Sequence, residues 1–326
     1  MALIKKTIMK KYFIILTLLL FFFLAGCQEE DETVNRGTWS VQTTPVTEKL
    51  NDVVFVSENQ GWIAGNGNTL LYTEDGENWE NRKISDGNTY NFLSIDFAGS
   101  ELGLASGEDI TNNQGVIFRT RNGGDSWSSV GLSSEYQQVF KIAFADENTV
   151  YALAQNQMIL KSTDGGMNWT EIYEFNSRME DFAVLNNDLW VCGKNGNLHY
   201  SSDGGTNWID QSPATGSWLS AVYFVDNSTG FTATAYGDAT VFKTSDAGNS
   251  WDSQVTAPEE YISDVFFADD SHGWFTAQNN IYYTSDGNEW EIETTTNNNN
   301  LNALYFLSED KGYAVGFNGT VIQFSK

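Results

Sequence analysis

The chain has 326 residues, 40% of them hydrophobic and 14% aromatic, enough to bury a large core. Its 43 acidic and 17 basic residues give a formal net charge of −26. Such a field repels nucleic acid and anionic lipid surfaces, so nucleic-acid binding is excluded. Two cysteines, two isolated histidines and no CxxC or HExxH spacing leave no disulfide framework, metal motif or cofactor motif.

Residues 1–27 read as a targeting segment. Lys5, Lys6, Lys10 and Lys11 precede the apolar run Tyr12–Leu24, which is shorter than the ~20 residues a spanning helix needs. The run ends in Leu24-Ala-Gly-Cys27, which resembles a bacterial lipobox. The resemblance implies cleavage before Cys27 and lipidation of that residue, which holds the chain at a membrane without a span. Residues 28–36 form an acidic tether. Its Gln28-Glu-Glu-Asp-Glu32 is either a solvated spacer or, being similar to the acidic tag of Bacteroidota surface lipoproteins, an export signal. The expected location is the bacterial cell envelope, lipid-anchored at the outer membrane, with surface exposure left open. All 43 acidic but only 13 of the 17 basic residues follow Cys27, so the processed chain carries about −30. Cys192, in Leu189-Trp-Val-Cys192, reads as a small core residue.

From residue 37 a single pattern repeats. An apolar strand comes first, as in Val53–Val56, Asp181–Leu185 or Asp264–Ala268, and a small-residue strand follows, as in Gly61–Gly65 or Gly273–Ala277. A third strand runs into a turn phrase such as Ser162-Thr-Asp164-Gly-Gly-Met-Asn-Trp169. The turn residues Asp75, Asn122, Asp164, Asp203, Asp246 and Asp286 each stand one residue before glycine, or two at Asp246, and ahead of a tryptophan that begins the fourth strand. Asp or Asn accepts backbone N–H bonds two residues on, Gly supplies the positive φ, and Trp buries its ring against the next unit. These are structural roles.

Seven first strands meet only six phrases, because the seventh unit ends at Lys326 after its third strand. The missing Trp strand stands at the other end, Gly37-Thr-Trp39-Ser-Val-Gln. An N-terminal strand that completes the last unit hides the edges of a closed ring. The expectation is an all-β, seven-bladed β-propeller of four-stranded antiparallel blades over residues 37–326. The phrases resemble the Asp-box, or bacterial neuraminidase repeat, and the whole pattern is similar to the photosystem II assembly and stability factor propellers. That resemblance implies a non-catalytic, lipid-anchored assembly scaffold for a protein or glycan partner.

Candidate binding residues come from counting three back from the recurring Phe of each first strand, with Val184 in the fourth. This gives Asp52, Ser94, Lys141, Asp181, Ala221, Asp264 and Ala303 around the channel mouth. Asp52, Lys141, Asp181 and Asp264 are read as either a polar-ligand site or ordinary hydrated lining. Tyr90, Tyr136, Trp218 and Tyr261 near the same rim are read as stacking platforms for sugars or as packing. The alternative function, a sialidase-type glycosidase, needs by resemblance three converging arginines. The chain has only Arg36, Arg82, Arg119, Arg121 and Arg178, so no catalytic residue, metal or cofactor is assigned.

Overall fold

The computed structural model describes residues 36–235, 239–257, 261–293 and 295–326. The targeting segment, Cys27 and tether residues 28–35 lie outside the described residues. The inner strands are Leu50–Phe55, Tyr90–Ala98, Val139–Phe144, Met179–Leu185, Leu219–Phe224, Ile262–Phe267 and Leu301–Ser308. Each opens a four-stranded antiparallel sheet, and there are seven such sheets among the described residues. Each inner strand packs on the next, and the seventh packs back on the first. The ring is a seven-bladed propeller.

Blade 7 is closed as its missing strand requires. Thr38–Gln42 pairs with Val321–Ser325 from Thr38↔Ser325 to Gln42↔Val321. Trp39 is 7% exposed and packs on Phe306 and Phe324, while its indole N–H donates to Glu293 of blade 6.

The blades stack through one recurring sandwich. The inner-strand Phe lies directly across from the first Gly of the second strand, as in Phe55↔Gly61, Phe224↔Gly230 and Phe306↔Gly312. A Cβ on Gly230 would stand 2.4 Å from the Phe224 ring, so the position must be bare. The other ring face meets the preceding blade: Trp190 stacks on Phe224 at 3.6 Å and Trp274 on Phe306 at 3.9 Å. Removing one such ring typically costs about 3–5 kcal/mol.

The inner strands begin earlier than the apolar pattern suggests. Each carries a register shift near its start, between Leu50/Asp52, Phe92/Ser94, Val139/Lys141, Met179/Asp181, Leu219/Ala221, Ile262/Asp264 and Leu301/Ala303. A bulge inserts one residue and interrupts the alternation of faces. The sequence pattern therefore reads as starting only after it.

Candidate functional site

Because strands alternate in direction, the turn phrases share one face with the first-to-second turns. The opposite face carries the second-to-third turns and the blade connections. There the seven bulges surround the axis, and the residues just after them are the expected ring. The structure brings Asp52, Lys141, Asp181 and Asp264 together in an axial cavity of about 140 Å³.

Most of this ring also laces the blades together. Asp52 accepts from Ser94 Oγ at 2.8 Å and from the Ile95 N–H of blade 2 at 2.9 Å. Asp181 accepts from the Val222 N–H of blade 5 at 3.0 Å, and Asp264 from the Leu304 N–H of blade 7 at 2.9 Å. One layer along the strand, Asp96 accepts from the Phe144 N–H at 2.8 Å. One carboxylate oxygen thus satisfies a backbone donor of the neighbouring blade, one residue past the equivalent position. Lys141 makes no such clip; its ammonium meets Asp181 at 3.3 Å.

Burial raises the carboxyls of Asp264, Asp96 and Asp52. Asp264 is pushed up to about 7, with Lys141 and the Leu304 N–H pulling the other way. Asp96 is pushed to about 6 by burial against the same kind of bonds, and Asp52 is also raised. For Lys141 burial opposes the charge, but Asp181, Asp52 and Asp264 together outweigh it and hold the ammonium protonated. The channel therefore carries its own cation.

The bulge residues were missed by the sequence reading, which had no signal for a bulge. Glu180, Ser220 and Ser263 line both the axial cavity and a groove of about 500 Å³. That groove is walled by Arg178, Trp218 and Tyr261. Arg178 also borders a third depression of about 260 Å³ with Gln138, Phe140 and Gln157. Its guanidinium pairs with Glu180 at 2.8 Å and lies 5.7 Å from the Trp218 ring, with the Lys194 ammonium 5.4 Å from that ring. A continuous depression thus runs from blade 3 to the axis across blades 4 to 6. Of the expected aromatics, Trp218 is half-buried and Tyr261 exposed, both at this groove, whereas Tyr90 and Tyr136 are buried in seams between blades. Among the described residues, Arg178 is the one arginine that lines the groove and the third depression.

On the other face the phrases are self-contained turns. Thr73 Oγ1 donates to Asp75 and accepts from the Gly76 N–H at 2.9 Å. Asp75 Oδ1 accepts from the N–H groups of Glu77 and Asn78, two and three residues on. In the longer phrases the extra glycine shifts that reach to three and four: Asp164 accepts from Met167 and Asn168. The second glycine is needed twice over. Gly166 has φ +84°, and a Cβ there would stand 2.6 Å from Leu104 of the preceding blade. Hydrogen bonds from Asn168 draw the Asp164 carboxyl down to about 2, and those from Asn207 do the same for Asp203.

Comparison with known proteins adds the relatives. A family model described as photosynthesis system II assembly factor YCF48 matches residues 31–137 and 134–262. The photosystem II assembly lipoprotein Ycf48 of Trichormus variabilis is 25% identical, across 58% of this chain and 68% of the relative. A solved structure titled YCF48 bound to D1 peptide superposes with a TM-score of 0.74 at 20% identity, covering 88% of this chain and 97% of that one. A virginiamycin B lyase from Staphylococcus aureus superposes equally, TM-score 0.74 at 12% identity over 89% of this chain and 100% of its own. The propeller fold therefore hosts catalysts and non-catalysts alike, and fold alone does not decide function.

Proposed function

The chain belongs to the photosynthesis system II assembly factor YCF48 family, and from that premise we propose that it is a lipid-anchored scaffold holding an extended polypeptide partner. Its named relatives are assembly factors, and the chain is a non-catalytic propeller. The observation that carries the polypeptide reading is the depression joining Phe140, Arg178, Trp218 and Tyr261 to the axial cavity. It offers ring faces for apolar side chains, one guanidinium for a carboxylate or carbonyl, and hydroxyl and amide groups for backbone. The relative solved with a D1 peptide supports a peptide as the class of ligand. A glycan is the second reading, favoured by Trp218 and Tyr261 beside the Ser220 and Ser263 hydroxyls.

Anchoring rests on the Leu24–Cys27 lipobox and on relatives named lipoproteins. We place the processed chain, from Cys27, at the outer membrane, with Gln28–Glu32 directing it to the cell surface. Cys27→Ser is expected to leave the membrane fraction, and a variant still membrane-bound would break this placement. For the partner, a photo-crosslinking residue is introduced in the native envelope at Tyr261 or at the exposed Thr206 of the blade 4 turn phrase on the other face. Polypeptide adducts at Tyr261, weakened by Arg178→Ala and absent at Thr206, are expected. Adducts at neither position, or at both alike, would reject the groove, and glycan-only adducts would transfer the site to the second reading.

A further inference from the structure

Five of the six turn phrases carry Asp, and only blade 2 carries Asn, at Asn122. The exchange reverses a hydrogen bond. In blade 5 the Ser250 hydroxyl donates to the Asp246 carboxylate at 2.6 Å. In blade 2 the equivalent Ser126 hydroxyl instead accepts from the Asn122 amide at 3.0 Å, so its own proton is released from the turn.

Ser126 borders a cleft of about 450 Å³ at the outer edge of blade 2, which also takes in Arg119, Arg121, Asn122, Ser128 and Ser129. Arg119 Nε donates to the Gly165 carbonyl of blade 3 at 2.6 Å, which fixes this guanidinium at the cleft. Arg121 is exposed and has no ion-pair partner among the described residues. Burial, and then the charge of Arg121, push the Arg119 guanidinium down, while Asp164 pulls the other way. Two like charges side by side, in a chain of net charge −26, are relieved by an anion between them. Guanidinium and hydroxyl donors are the groups that pair with carboxylates in short, charge-assisted bonds. The exposed Met167 beside the cleft offers apolar surface for the stem of an acidic side chain.

We infer that this cleft is a second binding site, taking a carboxylate of an acidic polypeptide segment, and that Asn122 replaces Asp so that the turn does not compete for it. The site lies away from the axial mouth and does not rest on the groove proposed above.

The probe is a fluorescein-labelled hexaglutamate, titrated by anisotropy into the purified mature protein at about 0.15 M salt, where charges beyond ~8 Å are screened. Asn122→Asp rebuilds the phrase that the other five blades use, so folding is expected to persist, as a thermal melt will show. Its binding is expected to fall about tenfold or more, because a carboxylate returns and recaptures the Ser126 proton. Arg121→Gln should lose a similar factor, and the mirror exchange Asp203→Asn in blade 4 should lose nothing. Equal binding by wild type and Asn122→Asp, or no binding by the folded wild type, overturns the inference. Displacement of the peptide by inorganic phosphate far more readily than by acetate would assign a phosphoryl ligand and overturn the carboxylate.

Discussion

Aspartate does opposite work in two regions of this molecule. In the turn phrases Asp164 and Asp203 sit in water, collect N–H bonds, and are drawn down to about 2. At the axis Asp264 and Asp96 also accept backbone N–H bonds, yet rise to about 7 and about 6. The hydrogen bonds are of the same kind, so they do not make the difference. Desolvation does: it disfavours the charged form, and only the axial carboxylates are half-buried between the inner strands, whereas Asp164 and Asp203 are exposed. A carboxylate in water closes a turn at no cost, whereas one at the axis needs Lys141 beside it.

The largest test removes the ring that creates the axis. Deleting Gly37–Thr43 unpairs Val321–Ser325 and takes Trp39 from its seam. Loss of the ring alone is worth about 3–5 kcal/mol, set against total stabilities of about 5–15 kcal/mol. Calorimetry should show a large drop in melting temperature, while truncating Gln28–Glu32 should show none. Equal melting of both would mean that Trp39 closes nothing.

Next is the internal cation. Lys141→Met leaves Asp52, Asp181 and Asp264 without a counter-charge, and breaking a buried pair from one side typically costs about 3–5 kcal/mol. The wet channel puts this case at the lower end. The loss should shrink from pH 7 to pH 5 as Asp264, raised to about 7, takes up its proton, and adding Asp181→Leu should recover part of it. A pH-independent loss would show that Lys141 acts by packing.

Wild-type stability should then show two pH limbs of opposite sign. The raised carboxyls, Asp264 and Asp96, add stability that is fully present below about 3.8 and lost as pH rises through about 6 to 7. The lowered ones, Asp164 and Asp203, add stability present above about 3.8 and lost as pH falls through about 2. The melting temperature should rise from pH 7 toward pH 5 and fall again below pH 4. A steady fall from pH 7 downward would break the comparison. The smallest effect is Asp203→Asn: blade 2 already folds around Asn122, so melting at pH 7 should barely move while the acid limb weakens.

What was legible in the sequence is what one blade decides within itself or what repetition enforces. Phe224 and Gly230 stand six residues apart because a ring covers a bare backbone position across one hairpin. The turn phrases close within eight residues, and the unpaired seventh unit required Trp39. All of this is chemistry that recurs from blade to blade. The axial ring was legible as positions, since Asp52, Lys141 and Asp264 recur at one offset from the strand Phe, and Asp181 at the same offset from Val184. Its work was not legible. Each clip joins residues about 40 apart in different blades, and the raised carboxyls depend on burial that no single blade supplies. The groove was hidden for a related reason. A bulge shifts Glu180, Ser220 and Ser263 out of the alternating pattern, and only the closed ring brings them to the same mouth as Arg178 and Trp218. Sequence periodicity determined the number of blades and how each is built; desolvation and the meeting of distant strands, which exist only once the ring is closed, decided what the axis does.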